Sequence, residues 1–261
     1  PAVVMVPPSL QNKWPQDFET FRTHCLAPEI REKVRCGKAT RAVAFLKLID
    51  DPPDRRKSII FVTHGAMSRG LADRWVKLAL IWQALRYRHG AEDLKRNLCK
   101  IMGSLLRHSW MDKKYGQNLW MDLLRNHPST WLKVLHKKKI DPEGDNDPTT
   151  DDDPVPKAVL DILKDLNTDS LYEKLRLIPK RRTESFAKSL DKARKGIQEE
   201  IRSVWAQCIQ NIQFRLPLLI LDEAHHLKNE YTQLASLFRC QEAKDDVEEI
   251  RKGALNNVFE R

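Results

Sequence analysis

The sequence predicts an α/β fold in which a parallel sheet is interrupted by a large all-helical insertion. Three observations point there. Short, apolar, β-rich runs recur at residues 3–6, 59–62 and 216–221, the texture of strands covered on both faces of a parallel sheet. From Leu71 to about Ile212 the texture changes: glycine is scarce, six of the seven tryptophans lie here, and apolar residues recur every three to four positions, the helical period. The last apolar run leads directly into Asp222 and Glu223, and a strand in such a sheet delivers the residues that follow it to the edge where ligands bind.

Taken in order, Val3, Val4, Met5 and Val6 are closed by Pro7 and Pro8, and Ser9 then sits where a helix N-cap would, ahead of an amphipathic stretch through Trp14, Phe18 and Phe21. Ala42, Phe45, Leu46 and Ile49 fall at helical spacing and run into Asp50-Asp51-Pro52-Pro53, where paired prolines forbid further helix. Ile59, Ile60, Phe61 and Val62 form the second strand, ending at Thr63-His64-Gly65. In the helical block Trp75, Leu78, Trp82 and Leu85 make one stripe ended by Gly90. Leu94, Leu98, Ile101 and Leu105 make a second and residues 119–124 a third, and a bundle would bury all three. Residues 141–156, rich in Asp and Pro, read as a mobile surface loop, with helices expected near 157–166, 169–177 and 184–212. The organisation is therefore 1–70 as the first part of the sheet domain, 71–212 as the insertion carrying the acidic loop, and 213–261 as the return to the sheet.

With 261 residues and 41% hydrophobic content the chain can bury a sizeable core. Its net charge is +10, and the stretch 141–153 holds seven acids and no base, which leaves about +17 on the remainder. Such a surplus favours a polyanionic partner, DNA or RNA. Five cysteines, odd in number and never in a C-x-x-C pair, argue against a disulfide framework and a structural zinc site and for a reducing, intracellular setting. No apolar run reaches the roughly 20 residues that span a bilayer, so no membrane association is expected. The opening residues already read as a buried strand, as though cut from a longer chain.

Two adjacent carboxylates at a strand end suit nucleotide hydrolysis, where one holds Mg²⁺ through water and the next orients and deprotonates the attacking water. Asp222 takes the metal role and Glu223 the base role; the plainer alternative is an acidic turn capping a helix. The longer string decides between them: Asp222-Glu223-Ala224-His225 resembles the DEAH form of the Walker B element of superfamily-two helicases, and His226-Leu227-Lys228-Asn229 extends the match to the Swi/Snf-type branch. Val4 to Leu10, with Trp14, Asp17 and Phe18, resembles motif Ia of that branch, and Ile59 to Gly65 resembles motif Ib more loosely. The THGAMSRG and DEAHHLKN strings are also similar to those of some bacterial and archaeal members, including phage-defence helicases.

The resemblance covers about a third of the chain. It implies part of a RecA-like lobe, ATP and Mg²⁺ as cofactors, DNA as partner with double-stranded DNA favoured over RNA, a second RecA-like lobe elsewhere in the parent chain, and a bacterial or archaeal cytoplasm. It further implies Ser9, Thr63 and His64 as contacts to the nucleic-acid backbone and His225 as a residue coupling nucleotide state to those contacts. Motif I, G-x-x-x-x-G-K-[ST], is absent: Cys36-Gly37-Lys38-Ala39-Thr40 mimics its end, but Glu32 stands where the leading glycine belongs and Ala39 where Ser or Thr belongs. That departure keeps a rival open, a non-catalytic nucleic-acid or protein-binding module built on a degenerate lobe. His225 and His226 are adjacent, so they cannot share a helical face as zinc-binding H-E-x-x-H does. The tryptophans read as packing residues, and the basic runs 137–139 and 180–182 as possible phosphate contacts.

Overall fold

The computed structural model describes residues 1–66, 71, 73–106, 109–139, 153–179, 186–212 and 216–225. By contact density the chain divides into two compact units, one comprising Pro1–Gly70 with Ile209–Arg261 and the other Leu71–Cys208.

The first unit is an α/β structure built on four parallel strands, β1 (Ala2–Val6), β2 (Cys36–Ala39), β3 (Ile59–Thr63) and β4 (Leu218–Leu221), in the spatial order β2-β3-β1-β4. Three were expected from their apolar runs. The fourth, β2, occupies the segment that mimics the end of motif I. It is a strand because Cys36 to Ala39 pair in parallel with Ile59 to Val62, and because Gly37 lets a helix approach: a Cβ there would sit 3.0 Å from Lys57 Cγ and 3.2 Å from Leu48 Cδ1.

Helices cover both faces of the sheet. Helix α1 (Lys13–Cys25) lays Trp14 and Phe18 against Phe61, with ring centroids 6.3 and 6.0 Å apart, over a cluster of Val4, Val6 and Phe61 joined by Cys36 and Ile59. After the short α2 (Pro28–Arg31), helix α3 (Ala42–Asp50) buries Ala42, Val43, Phe45 and Leu46 and carries Leu48 to the opposite face at Gly37. The period-2 alternation of a strand explains the split: Val4, Val6 and Phe61 look one way, and Val3, Met5, Ile60 and Val62, all buried, the other.

Two expectations need correction. Helix α1 starts at Lys13 with Asn12 at its N-cap, and Ser9 lies in a 3₁₀ turn, Pro8–Leu10, with no capping hydrogen bond; the prolines at 7 and 8 impose that turn before the helix begins. The aliphatic run at β4 is not covered on both faces, since Leu218 is 51% and Ile220 45% exposed. Both share a face with Val4, but α1 sits over Phe61, two strands away, and among the described residues β4 pairs with β1 alone.

The second unit is helical. Its helices are α4 (Arg74–Leu85), α5 (Ala91–Cys99), α6 (Met102–Leu105), α7 (Ser109–Arg125), α8 (Trp131–Lys137), α9 (Lys157–Leu163), α10 (Asp169–Arg176) and, running on into the first unit, α11 (Phe186–Asn211). Asp73 caps α4 by accepting a hydrogen bond from Val76 N at 2.8 Å. The apolar stripes are buried as their spacing requires, but α4 closes at Leu85, five residues before Gly90. The second stripe is divided between α5 and α6. Helix α7 breaks at Gly116, whose φ of 64° is one that a side chain disfavours. Trp75, Trp82, Trp120, Trp131 and Trp205 are all buried, as packing residues should be. Most of the acidic loop and the basic run 180–182 lie outside the described residues. No helix among the described residues is long and apolar enough to cross a membrane.

Cys25, Cys36, Cys99 and Cys208 are free thiols. Burial pushes Cys36 up to about 11, helped by its hydrogen bond to Glu19 Oε1 at 3.2 Å and by that carboxylate's charge; burial alone raises Cys208 to about 12. Because the thiolate is the nucleophile, Cys36 alkylates at pH 8 slower than an unperturbed exposed thiol by on the order of a hundredfold, and its rate climbs as pH rises toward its pKa. Peptide mapping after timed iodoacetamide treatment checks this, with exposed Cys25 as the internal reference.

Candidate functional site

All four strands are parallel, so the segments that follow them emerge along one rim. The register sets which residues meet. Met5 pairs with Leu221 and Val6 with Thr63; the next residues continue both ladders, Asp222 N donating to Met5 O and His64 N to Val6 O, each at 2.9 Å. The turn after β1, the turn after β3 and the two acids after β4 thus leave the sheet side by side.

Asp222 is tied to the opening segment by its side chain as well. Trp14 Nε1, from the first turn of α1, donates to Asp222 Oδ2 at 2.8 Å across 208 residues of sequence. The indole is itself braced against Phe61, so one carboxylate oxygen is held in a defined direction. Glu223 follows with φ 53°, a left-handed backbone that costs a non-glycine residue roughly 1–2 kcal/mol. Strain of this kind concentrates at sites where a side chain must be aimed. Glu223 and His225 are both exposed, while His226 and the residues matching the rest of the Swi/Snf-type extension lie outside the described residues.

The expected nucleic-acid contacts separate on burial. Ser9 is exposed beside the rim. Thr63, the last residue of β3, is only 4% exposed. His64 is part-exposed, and its Nε2 is buried with no hydrogen-bond partner, a rare condition for a polar atom. Sequence reasoning missed two further groups. Trp14 was visible as part of the motif Ia match, but its partner was not. Lys38, on β2, reaches Asn12 Oδ1 at 2.7 Å and places an exposed ammonium on the face that α1 covers.

No group of three or more His, Cys, Asp or Glu side chains is arranged to hold a metal among the described residues. The donor set here is one carboxylate held by an indole with a second carboxylate next in sequence. That set fits Mg²⁺, which keeps most of its waters and takes one or two carboxylates together with substrate phosphates. Comparison with protein-family models, with curated proteins and with solved structures found no match.

The Trp14 to Asp222 bond has a measurable energy. In a double-mutant cycle of Trp14→Phe and Asp222→Asn by urea denaturation, the coupling should be about 1 kcal/mol, since the bond is charge-assisted but partly solvated. A coupling near zero would mean that the contact does not hold Asp222.

Proposed function

We propose that the chain is part of a nucleic-acid-stimulated ATPase of the superfamily-two helicase class, acting as a Swi/Snf-type double-stranded DNA translocase, and that its first unit is part of a RecA-like lobe. The observation that carries this reading is the shared rim: the motif Ia-like segment and the acid pair meet there, joined by the hydrogen bond from Trp14 to Asp222. An acidic turn serving only as a helix cap has no need of that partner. The contact supports the reading, because nothing in the order of residues along the chain requires positions 14 and 222 to touch.

In this reading Asp222 holds Mg²⁺ through water and Glu223 takes the proton from the water that attacks the terminal phosphate. Bound Mg·ATP supplies the electrophilic phosphoryl group. The indole of Trp14 orients Asp222, so movement of α1 is felt at the carboxylate. In the same reading Ser9, in the turn after β1, and Thr63 and His64, at the end of β3, contact the nucleic-acid backbone, and His225, two residues beyond the base, links the two functions. The surplus of basic charge is of the sign such a partner needs.

The 261 residues contain no G-x-x-x-x-G-K-[ST], so the amide cradle for the phosphates has to come from elsewhere in a longer polypeptide. The same absence favours a second reading, a binding module on a degenerate lobe that no longer hydrolyses nucleotide. In the full-length protein, Glu223→Gln should lower DNA-stimulated ATP turnover by on the order of a hundredfold or more while leaving ATP binding intact. Near-normal turnover in that variant would remove Glu223 as the base, and a parent without turnover would favour the binding module.

A further inference from the structure

We propose that the turn between α4 and α5, residues 86–90, is a binding site for single-stranded nucleic acid, with an unstacked base lying on the outer face of Tyr87 and a flanking phosphate held by Arg86. The proposal stands apart from the ATPase reading, since every group it uses belongs to the helical unit.

The turn is built as a stack. The imidazole of His127 meets the edge of Trp82 at 4.9 Å between ring centroids. The Arg86 guanidinium lies over Trp82 at 5.0 Å and over Tyr87 at 4.3 Å, and it donates to the Tyr87 hydroxyl. Trp82, Arg86 and Tyr87 thus form a graded series from the interior to solvent, with the exposed His127 against Trp82. Trp82 is 7% exposed and Tyr87, at the outer end, 84%. A planar cation between two rings is fixed in orientation, so Tyr87 presents a pre-ordered aromatic surface.

Packing does not explain this arrangement. Tyr87 has φ 59°, a left-handed conformation that disfavours a bulky side chain, and the tyrosine buries little in return. Glycine or asparagine would make the same turn without strain. A strained, exposed aromatic ring backed by a stacked arginine is what a base-stacking platform requires.

The charges around it match a phosphodiester chain. Each nearby acid is already paired: Asp169 with Arg88, and Glu92 with both Lys95 at 3.0 Å and Arg125 at 3.1 Å. Arg86 has no carboxylate partner among the described residues, so its donors are open to an anion. A second cation–aromatic pair, Arg88 over Tyr172 at 4.9 Å, continues the surface. Beside Arg86 and Tyr87 lies a cleft of about 340 Å³ lined also by Gln83, Arg88, Asn167 and Asp169, the carboxylate of Asp169 being the one that Arg88 pairs. Gln83 Oε1 is buried there without a hydrogen-bond partner.

The test uses the whole chain and a fluorescein-labelled, mixed-sequence 20-nucleotide DNA strand, followed by anisotropy across a salt series. The strand should bind. Tyr87→Ala should weaken binding about tenfold, Tyr87→Phe should stay within about twofold of the parent because the ring remains, and Arg86→Gln should reduce the salt slope by about 0.7. Thermal melts of the variants confirm that they fold. Absence of binding, equal binding by the parent and Tyr87→Ala, or displacement by duplex DNA or polyglutamate as effective as by unlabelled single strand would each overturn the proposal.

Discussion

The parallel register between β1 and β4 is the constraint on which the candidate site depends. Leu221 lies opposite Met5, and the ladder runs on one residue further, Asp222 N donating to Met5 O. That alignment brings Asp222 level with the turn after β1, within reach of Trp14. A slip of one residue would turn every β4 side chain to the opposite face and take the carboxylate away from the indole. Because the aromatic packing of Trp14 and Phe18 on Phe61 fixes α1 to the sheet, the position of the carboxylate follows from the hydrophobic core.

The same register leaves β4 half-covered. Leu218 and Ile220 stand on the face shared with Val4, yet α1 packs over β3. Apolar side chains and an unpaired backbone at a sheet edge are costly in water and favour further pairing or cover. The acid pair therefore sits at the end of a strand that the described residues leave partly exposed.

Much of this was legible in the chain because its signals are local. The β-branched and aliphatic runs mark β1, β3 and β4, and the three-to-four spacing of Trp75, Leu78, Trp82 and Leu85 marks α4. Strand β2 was not legible, since Cys36-Gly37-Lys38-Ala39 has no alternation and becomes a strand through tertiary pairing with β3 and the approach of Leu48 to Gly37. Ser9 was misread as a cap because its residue type fits an N-cap, whereas the preceding prolines dictate a 3₁₀ turn. For β4, four aliphatics in a row implied two covers, but composition does not say which neighbours are present. Asp222 and Glu223 were found from their place after an apolar run and from the string that continues through His225; the link to Trp14, 208 residues away, and the burial of Thr63 exist only in three dimensions. The Arg86 and Tyr87 stack went unseen because the helical pattern was carried on to Gly90 instead of stopping at Leu85.

The two units pose separate chemical questions, one of carboxylates at a sheet rim and one of a cation held between aromatic rings. The first rests on a single contact, and the indole N–H of Trp14 reports on it directly. In a spectrum of the ¹⁵N-labelled protein, with the Trp14 signal assigned by its loss in Trp14→Phe, Asp222→Asn should move that resonance well beyond those of the other six tryptophans. If the Trp14 signal stays in place, the opening segment and the acid pair do not meet, and the shared-rim account is contradicted.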